Sequence, residues 1–115
     1  MRRMNYNPFE KPFASGESSE GQANFVLDRE LDLESIYFIT VYQGADCFSS
    51  ILSTFSDNKN AENFYSSIPA FDVNGNGITC YVTYNATLNP KVLVITHDIE
   101  QVLLENRTIF VYKLI

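Results

Sequence analysis

Residues 35–43 (SIYFITVYQ) constrain the fold more than any other part of the chain, because they form a run of mainly β-branched and aromatic residues. Such residues favour extended backbone, and a continuous apolar run is typical of a strand covered on both faces. Two further runs, at 91–96 (KVLVIT) and 108–115 (TIFVYKLI), have the same character. The sequence therefore predicts strands at all three places.

Residues 25–34 alternate in polarity, with phenylalanine and leucines on one side and acids on the other. A period of two is typical of a half-buried strand, and we predict one here; a helix is the second interpretation. In a strand, four carboxylates share one face: Asp28, Glu30, Asp32 and Glu34. Alternate residues would then be about 6.8 Å apart, from a rise of ~3.4 Å per residue.

The period changes after Gly44. Apolar residues at 48, 51, 52 and 55 have helical spacing, which predicts a helix with Asp46 as its N-cap. The same spacing at 61, 64, 65 and 68 predicts a second helix that ends at Pro69. Asp98 and Gln101 resemble a capping box, so a third short helix is predicted around residues 98–103.

These elements, with a hairpin predicted at 70–84 from its Asn-Gly turn, follow the order β-β-α-α-β-β-β-α-β. Mixed strands and helices with a hairpin favour the α+β class. We expect a small mixed or antiparallel sheet of five to six strands, with two or three short helices packed on it. A ferredoxin-like β-α-β-β-α-β arrangement can be drawn from residue 35 onward.

The first 22 residues contain two prolines and two glycines after residue 4 and have no sustained apolar period. This composition predicts a flexible N-terminal tail at 1–22, followed by a single α+β domain at 23–115. A chain of 115 residues has the length of one domain.

The charge balance narrows the class of partner. Fourteen acids oppose eight bases, for a formal net charge of −6. Nucleic-acid phosphates and anionic lipids both require a basic surface, so neither is an expected partner, whereas a protein with a basic surface is. No signal-peptide core, long apolar run or disulfide framework is present, which predicts a cytoplasmic protein with reduced thiols.

Motifs for common catalytic and cofactor chemistry are missing from the sequence, including G-x-G-x-x-G, the Walker loop, G-x-S-x-G and H-E-x-x-H. His97 is the only histidine, so a catalytic dyad would need Cys47 or Cys80 beside it, and nothing local supports either pair. Residues 72–77 resemble the start of a calcium loop, but Thr83 stands where the bidentate acid belongs. We therefore expect no cofactor and no metal, and the sequence favours a non-enzymatic role.

The row of carboxylates at Asp28, Glu30, Asp32 and Glu34 is the candidate partner-binding site. The row would steer the encounter with a basic protein and set the register of docking. Tyrosines exposed in the free chain would become the buried anchors of the complex. We expect a protein-interaction domain, a small acidic inhibitor of the kind that phages direct against host defence or that mimics nucleic acid. The plainer interpretation of the row is a solvated strand face. A small-ligand regulatory domain and a homo-oligomeric structural component are the alternatives.

Overall fold

The computed structural model describes residues 11–18, 23–58, 60–71, 74–96 and 107–115. Within these ranges the chain forms eight strands and no helix. The strands are β1 (Ala14–Ser18), β2 (Asn24–Leu27), β3 (Ile36–Gln43), β4 (Asp46–Ser53), β5 (Asn63–Phe71), β6 (Gly77–Asn85), β7 (Val92–Thr96) and β8 (Arg107–Lys113).

All eight strands belong to one antiparallel sheet with the order β4-β3-β8-β1-β2-β7-β6-β5. The sheet curls until its two end strands, β4 and β5, come together, which makes a nearly closed, barrel-like sheet. Side chains join these end strands: Ser50 Oγ lies 2.9 Å from Ser66 Oγ and donates to the Ser67 carbonyl. We call the line between β4 and β5 the seam.

The core fills the inside of this sheet. Along each strand, alternate residues point inward, as a period of two requires. The large side chains with the least exposure include Phe25, Tyr37, Ile39, Leu52, Ile68, Tyr84, Leu93 and Ile109. They come from seven of the eight strands, so the core cannot form before distant parts of the chain have paired.

The α+β prediction is therefore wrong, and the segment predicted as the first helix shows why. Residues 46–53 form β4, which pairs with β3 from Gln43↔Asp46 to Ile36↔Ser53 across a two-residue turn. Gly44 adopts the positive φ of 58° that such a turn requires, and Asp46 opens a strand instead of capping a helix. The helical spacing arose because Ile51 and Phe55, each about half exposed, are apolar residues outside the core.

The segment predicted as the second helix is likewise a strand, β5, paired along its whole length with β6. Phe64 and Ile68 point inward with Ser66 between them, whereas Tyr65 is 70% exposed. Pro69 lies inside this strand, where it was expected to end a helix. A proline is tolerated there because β5 is an end strand of the sheet. The third predicted helix, at 98–103, lies outside the described residues.

The segment predicted as a tail contributes β1, which lies between β8 and β2 in the sheet. Its sequence, ASGES, has low β-propensity, so only its pairing reveals it as a strand. Gly16 permits that pairing, because a Cβ atom at this position would overlap the backbone carbonyl of Val26 on β2. A close approach between two backbones is a common reason for glycine inside a strand.

The strands predicted from β-branched and aromatic runs are confirmed as β3, β7 and β8. The hairpin predicted around the Asn-Gly turn is confirmed as β5–β6, with Gly75 at a φ of 81°. The strand predicted at 25–34 is wrong beyond its first residues, because β2 ends at Leu27.

Candidate functional site

Residues 28–35 cross one end of the barrel-like sheet. They connect β2 to β3, and two other strands, β1 and β8, lie between these in the sheet order. We call residues 28–35 the crossing segment. All four carboxylates of the predicted site lie in it, and each is exposed. The regular row expected of a strand, with carboxylates about 6.8 Å apart, is not formed, because these residues are outside β2.

Tyr84 holds the centre of the crossing segment from inside the core. Its hydroxyl accepts a hydrogen bond from the Leu31 amide at 3.2 Å and donates to the Pro90 carbonyl at 2.7 Å. The Tyr84 side chain is fully buried, and Leu31 is only 6% exposed. Leu31 therefore closes the end of the core, while its neighbours in sequence remain in solvent.

Two further hydroxyls hold the second half of the crossing segment. The Tyr37 hydroxyl accepts from the Asp32 amide at 2.6 Å, and Thr54 Oγ1 donates to the Asp32 carbonyl at 2.7 Å. Thr54 Oγ1 also accepts from the Ser35 amide at 3.0 Å. The backbone amides and carbonyls of an irregular segment thus find partners on buried side chains, as burial of such groups requires.

Burial raises the pKa of both tyrosines above the ordinary value of 10.0. In each case desolvation is the largest cause, and a hydrogen bond from the crossing-segment backbone, at Asp32 for Tyr37 and at Leu31 for Tyr84, opposes it. Both hydroxyls are therefore neutral at pH 7, and act as donors and acceptors that hold the backbone, with no role as a base.

The four predicted carboxylates differ in what they contact. Asp28 accepts from the Ser15 amide at 3.0 Å and so ties the segment to β1. Asp32 forms an ion pair with Lys113 at 2.7 Å. Within the described part of the chain, the side chains of Glu30 and Glu34 have no ion pair or hydrogen bond. These two glutamates are thus the carboxylates most available to a partner.

Two cations lie among these acids, close to the Phe13 ring. The Arg29 guanidinium lies 3.7 Å from the centre of the Phe13 ring, and Lys113 Nζ lies 5.5 Å from it. The Phe13 ring in turn packs on Tyr37 at 5.4 Å. Cation–π contacts of this kind orient both cations. The acidic end of the sheet therefore has four carboxylates and two oriented cations, and keeps a negative excess.

Exposed apolar side chains border the crossing segment. Leu33 lies within it and is 53% exposed, between Asp32 and Glu34. Phe55 lies beside the segment because the carbonyl of the preceding residue, Thr54, accepts a hydrogen bond from the Glu34 amide. Ile115 lies beside its end because the Ile115 carbonyl accepts from the Ile36 amide. We call the exposed side chains of the crossing segment, with Phe55 and Ile115, the acidic end face.

A second exposed surface lies on the outside of β3 and β8. Phe38 packs on Tyr112 with ring centres 6.4 Å apart, and Tyr42 meets Phe110 edge-on at 5.7 Å. Thr40 lies between these rings on the outer side of β3 and is only 5% exposed. Of the tyrosines, Tyr42 and Tyr112 thus lie on this outer side, whereas Tyr37 and Tyr84 belong to the core. We call these four rings the outer aromatic face.

The two cysteines differ in their exposure to solvent. Cys47 is exposed on β4, and Cys80 is fully buried on β6, where desolvation raises the pKa of its thiol and Arg107 opposes that rise. Cys47 follows Asp46, the residue expected to cap a helix, and this segment is the strand β4. His97, the other half of either dyad, lies outside the described residues.

The partners of the crossing segment, Thr54 and the Tyr84 hydroxyl, were missed by the sequence-based prediction. Cys80, Val82 and Tyr84 are alternate residues of β6 and all point inward. This alternation is the one signal in the local sequence that Tyr84 belongs to the core. Among the described residues, no group of His, Cys, Asp and Glu side chains is arranged to hold a metal ion.

The described ranges also contain no helix with the length and apolarity that crossing a membrane would need. Comparison of the chain with protein-family models, with curated proteins and with solved structures found no match. The functional argument therefore depends on the geometry and charge of the molecule itself.

Proposed function

We propose that this chain is a protein-interaction domain that docks its acidic end face on a basic protein partner. The observation that supports this most is that core hydroxyls fix the backbone of the crossing segment, while its carboxylates and Leu33 are exposed. A surface held in one conformation before binding loses little entropy on binding.

The chemistry of the face suits a basic surface with apolar pockets. Glu30 and Glu34 have no intramolecular partner among the described residues, so they can accept from Lys or Arg without breaking a bond. Leu33, Phe55 and Ile115 provide apolar area between and beside them. Carboxylates steer the encounter and set the register, and buried apolar anchors supply most of the affinity.

An inhibitor that covers a functional basic groove is the role we favour, and the net charge of −6 supports it. We propose a cytoplasmic setting, which the free thiols at Cys47 and Cys80 support. Docking would depend on the acidic end face and not on the regular carboxylate spacing that a strand would have provided.

The test is capture of a partner from native lysate with tagged wild type and with the double variant Glu30→Gln, Glu34→Gln. We expect a basic protein to be held by wild type, released at higher salt, and lost from the variant. Exposed charges more than about 8–10 Å apart are largely screened at physiological ionic strength, so salt should weaken the complex.

The matched control is Glu17→Gln, Asp46→Asn, which removes the same charge from exposed positions on β1 and β4. This control should keep the partner. If both double variants lose it equally, only net charge matters and the acidic end face is not the docking site. If both keep it, the interface lies elsewhere.

Self-association is the second candidate, and the outer aromatic face favours it. Tyr42 is 44% exposed, and its neighbours Phe38, Phe110 and Tyr112 are each partly exposed on the outer side of β3 and β8. Aromatic residues are enriched at protein interfaces. Sedimentation of wild type and of Tyr42→Ser would reveal it, as a dimer that the variant dissociates; a monomer at all concentrations would rule it out.

A further inference from the structure

A small crevice opens at the seam, at the end of the sheet opposite to the crossing segment. Its cavity volume is about 10 Å³, which is room for one water-sized group. Most of its lining is apolar and includes Val41, Phe48, Ile68 and Ile95. Because the space is so small, every polar group that faces it can bond to the same single occupant.

Gln43 brings a buried hydrogen-bond donor to this crevice. It is the last residue of β3, where it points inward, and it is only 3% exposed. Its Nε2 atom has no hydrogen-bond partner among the described residues. Buried amide groups nearly always have a partner, because an unsatisfied donor keeps its full cost of desolvation. The crevice thus presents an N–H group that requires an acceptor no larger than a water molecule.

The backbone of β5 brings an acceptor to the same crevice. In the middle of this strand the Ser67 carbonyl accepts from Ser50 on β4, so it points toward the seam. Just before the strand, the Glu62 carbonyl accepts from the Ala86 amide at 2.8 Å, on the opposite side, where β6 lies. Carbonyls of alternate residues point to the same side of a strand, so the Pro69 carbonyl also points toward the seam. The Pro69 side chain lies on the outer side of the sheet, and Pro69 therefore lines the crevice through its backbone.

The seam lacks a direct bond for these groups. Neighbouring strands elsewhere in the described sheet are joined by backbone ladders, whereas β4 and β5 are its two end strands. Their described contacts are serine hydroxyls and the edge-on pair of Phe48 and Phe71, whose ring centres are 5.5 Å apart. Proline has no N–H, so at Pro69 the seam side of β5 can accept a hydrogen bond but cannot donate one. A group that both accepts and donates would join Gln43 to this carbonyl.

We infer that the crevice is a binding site for one water molecule, which accepts a hydrogen bond from Gln43 Nε2 and donates one to the Pro69 carbonyl. This water links the end of β3 to β5 and so completes the closure of the barrel-like sheet at the seam. A bridging water is nearly as favourable in enthalpy as a direct hydrogen bond. The site does not depend on the acidic end face, so either can fail alone.

The size of the cavity and the polar pair select water over other small occupants. A buried water typically makes two to four hydrogen bonds, and this pair supplies one of each kind. A halide ion would face the Pro69 carbonyl oxygen, and a cation would face the Gln43 N–H group. An apolar gas would leave both groups unsatisfied. Arg107 also lines the crevice, but its Nε donates to Ser18 Oγ and it has a further interaction, so no bond to the water is assigned to it.

The first test is a high-resolution crystal structure of the full chain. We expect one water peak at about 2.7–3.2 Å from both Gln43 Nε2 and the Pro69 carbonyl oxygen. Gln43→Met removes the donor and keeps an unbranched side chain of similar length, so the peak should be lost. Leu93→Met is the matched control, because it introduces the same residue at a fully buried position on β7 outside the crevice lining, and it should keep the peak.

The Gln43 side-chain amide provides the second measurement, in solution. Cross-relaxation between water and the ¹⁵N-labelled wild-type chain should give a peak at the Gln43 amide protons with the sign of a bound water. Asn24, whose side chain is exposed on β2, is the internal control and should show only the weak contact of surface water.

Three results would each overturn the inference: a wild-type crystal without the water peak, a peak that persists in Gln43→Met, or an anomalous signal that identifies the occupant as chloride. Equal cross-relaxation at Gln43 and Asn24 would overturn it as well. If Gln43→Met does not fold, the wild-type crystal and the solution measurement decide without it.

Discussion

At the scale of single residues, the tyrosines have two chemical roles that the residue type alone does not distinguish. Tyr37 and Tyr84 are fully buried, and their hydroxyls hold the backbone of the crossing segment. Tyr65 and Tyr42 are exposed on the outside of the sheet. A buried hydroxyl in a narrow core is costly unless it is bonded, so these bonds both stabilise the fold and set the shape of the acidic end face.

Tyr84→Phe should destabilise the protein by about 1–3 kcal/mol, because the Leu31 amide and the Pro90 carbonyl lose their partner. Urea unfolding measures this change. Tyr65→Phe is the control: that side chain is 70% exposed, and its loss of a hydroxyl should change the free energy of unfolding by less than about 0.5 kcal/mol. Equal stabilities for the two variants would mean that the Tyr84 hydroxyl does not hold the crossing segment.

At the scale of elements, β1 shows how a weak strand is stabilised by its neighbours. It has two strand partners, β8 and β2, and Asp28 and Ser15 join it to the start of the crossing segment. Its own residues favour turns and caps more than strands. The close approach of β2 at Gly16 is the feature that a larger residue would disturb.

Gly16→Ala should lower the free energy of unfolding by about 1–3 kcal/mol, since the added methyl group would force two backbones apart. Thermal unfolding followed by circular dichroism tests this. The comparison variant is Gly77→Ala on β6, where a Cβ atom would meet nothing within 4 Å. It should be near neutral, and a Gly16 variant as stable as this one would contradict a close approach of β1 to β2 at Gly16.

At the scale of the whole molecule, the barrel-like sheet has two ends with different electrostatics. One end carries the exposed carboxylates over a core closed by tyrosine hydroxyls, and the other encloses Arg107 and Gln43. Negative charge outside and positive charge inside are thus separated along the strands.

The buried phenols predict a loss of stability in alkali. Burial raises the pKa of Tyr37 and Tyr84 in the folded state above the ordinary 10.0, so below that pH both states are neutral and stability is unaffected. Above pH 10 the unfolded chain loses these protons first, and the free energy of unfolding falls as pH rises toward the folded-state pKa. Urea unfolding across this range measures the slope. The variant Tyr37→Phe, Tyr84→Phe should give a flatter dependence, and an equal slope would contradict the assignment.

Much of the strand content was predictable from local sequence. The runs that became β3, β7 and β8 are rich in β-branched and aromatic residues, which favour extended backbone. The Asn-Gly sequence predicted the hairpin turn, where Gly75 has a positive φ. The acidic balance also follows from composition, and the proposed class of partner depends on it.

Tertiary structure decided the rest, because its causes are distant in sequence. β4 and β5 have helical spacing but are strands, since β3 and β6 supply the ladders that override a local preference. Asp32 differs from Glu34 in having a partner because Lys113, 81 positions away, reaches it across the end of the sheet. Gln43 on β3 and Arg107 on β8 fall on the alternate positions that point inward, but they are enclosed only because the sheet closes. Local propensity acts over a few residues, whereas burial and pairing depend on which segments the whole chain brings together.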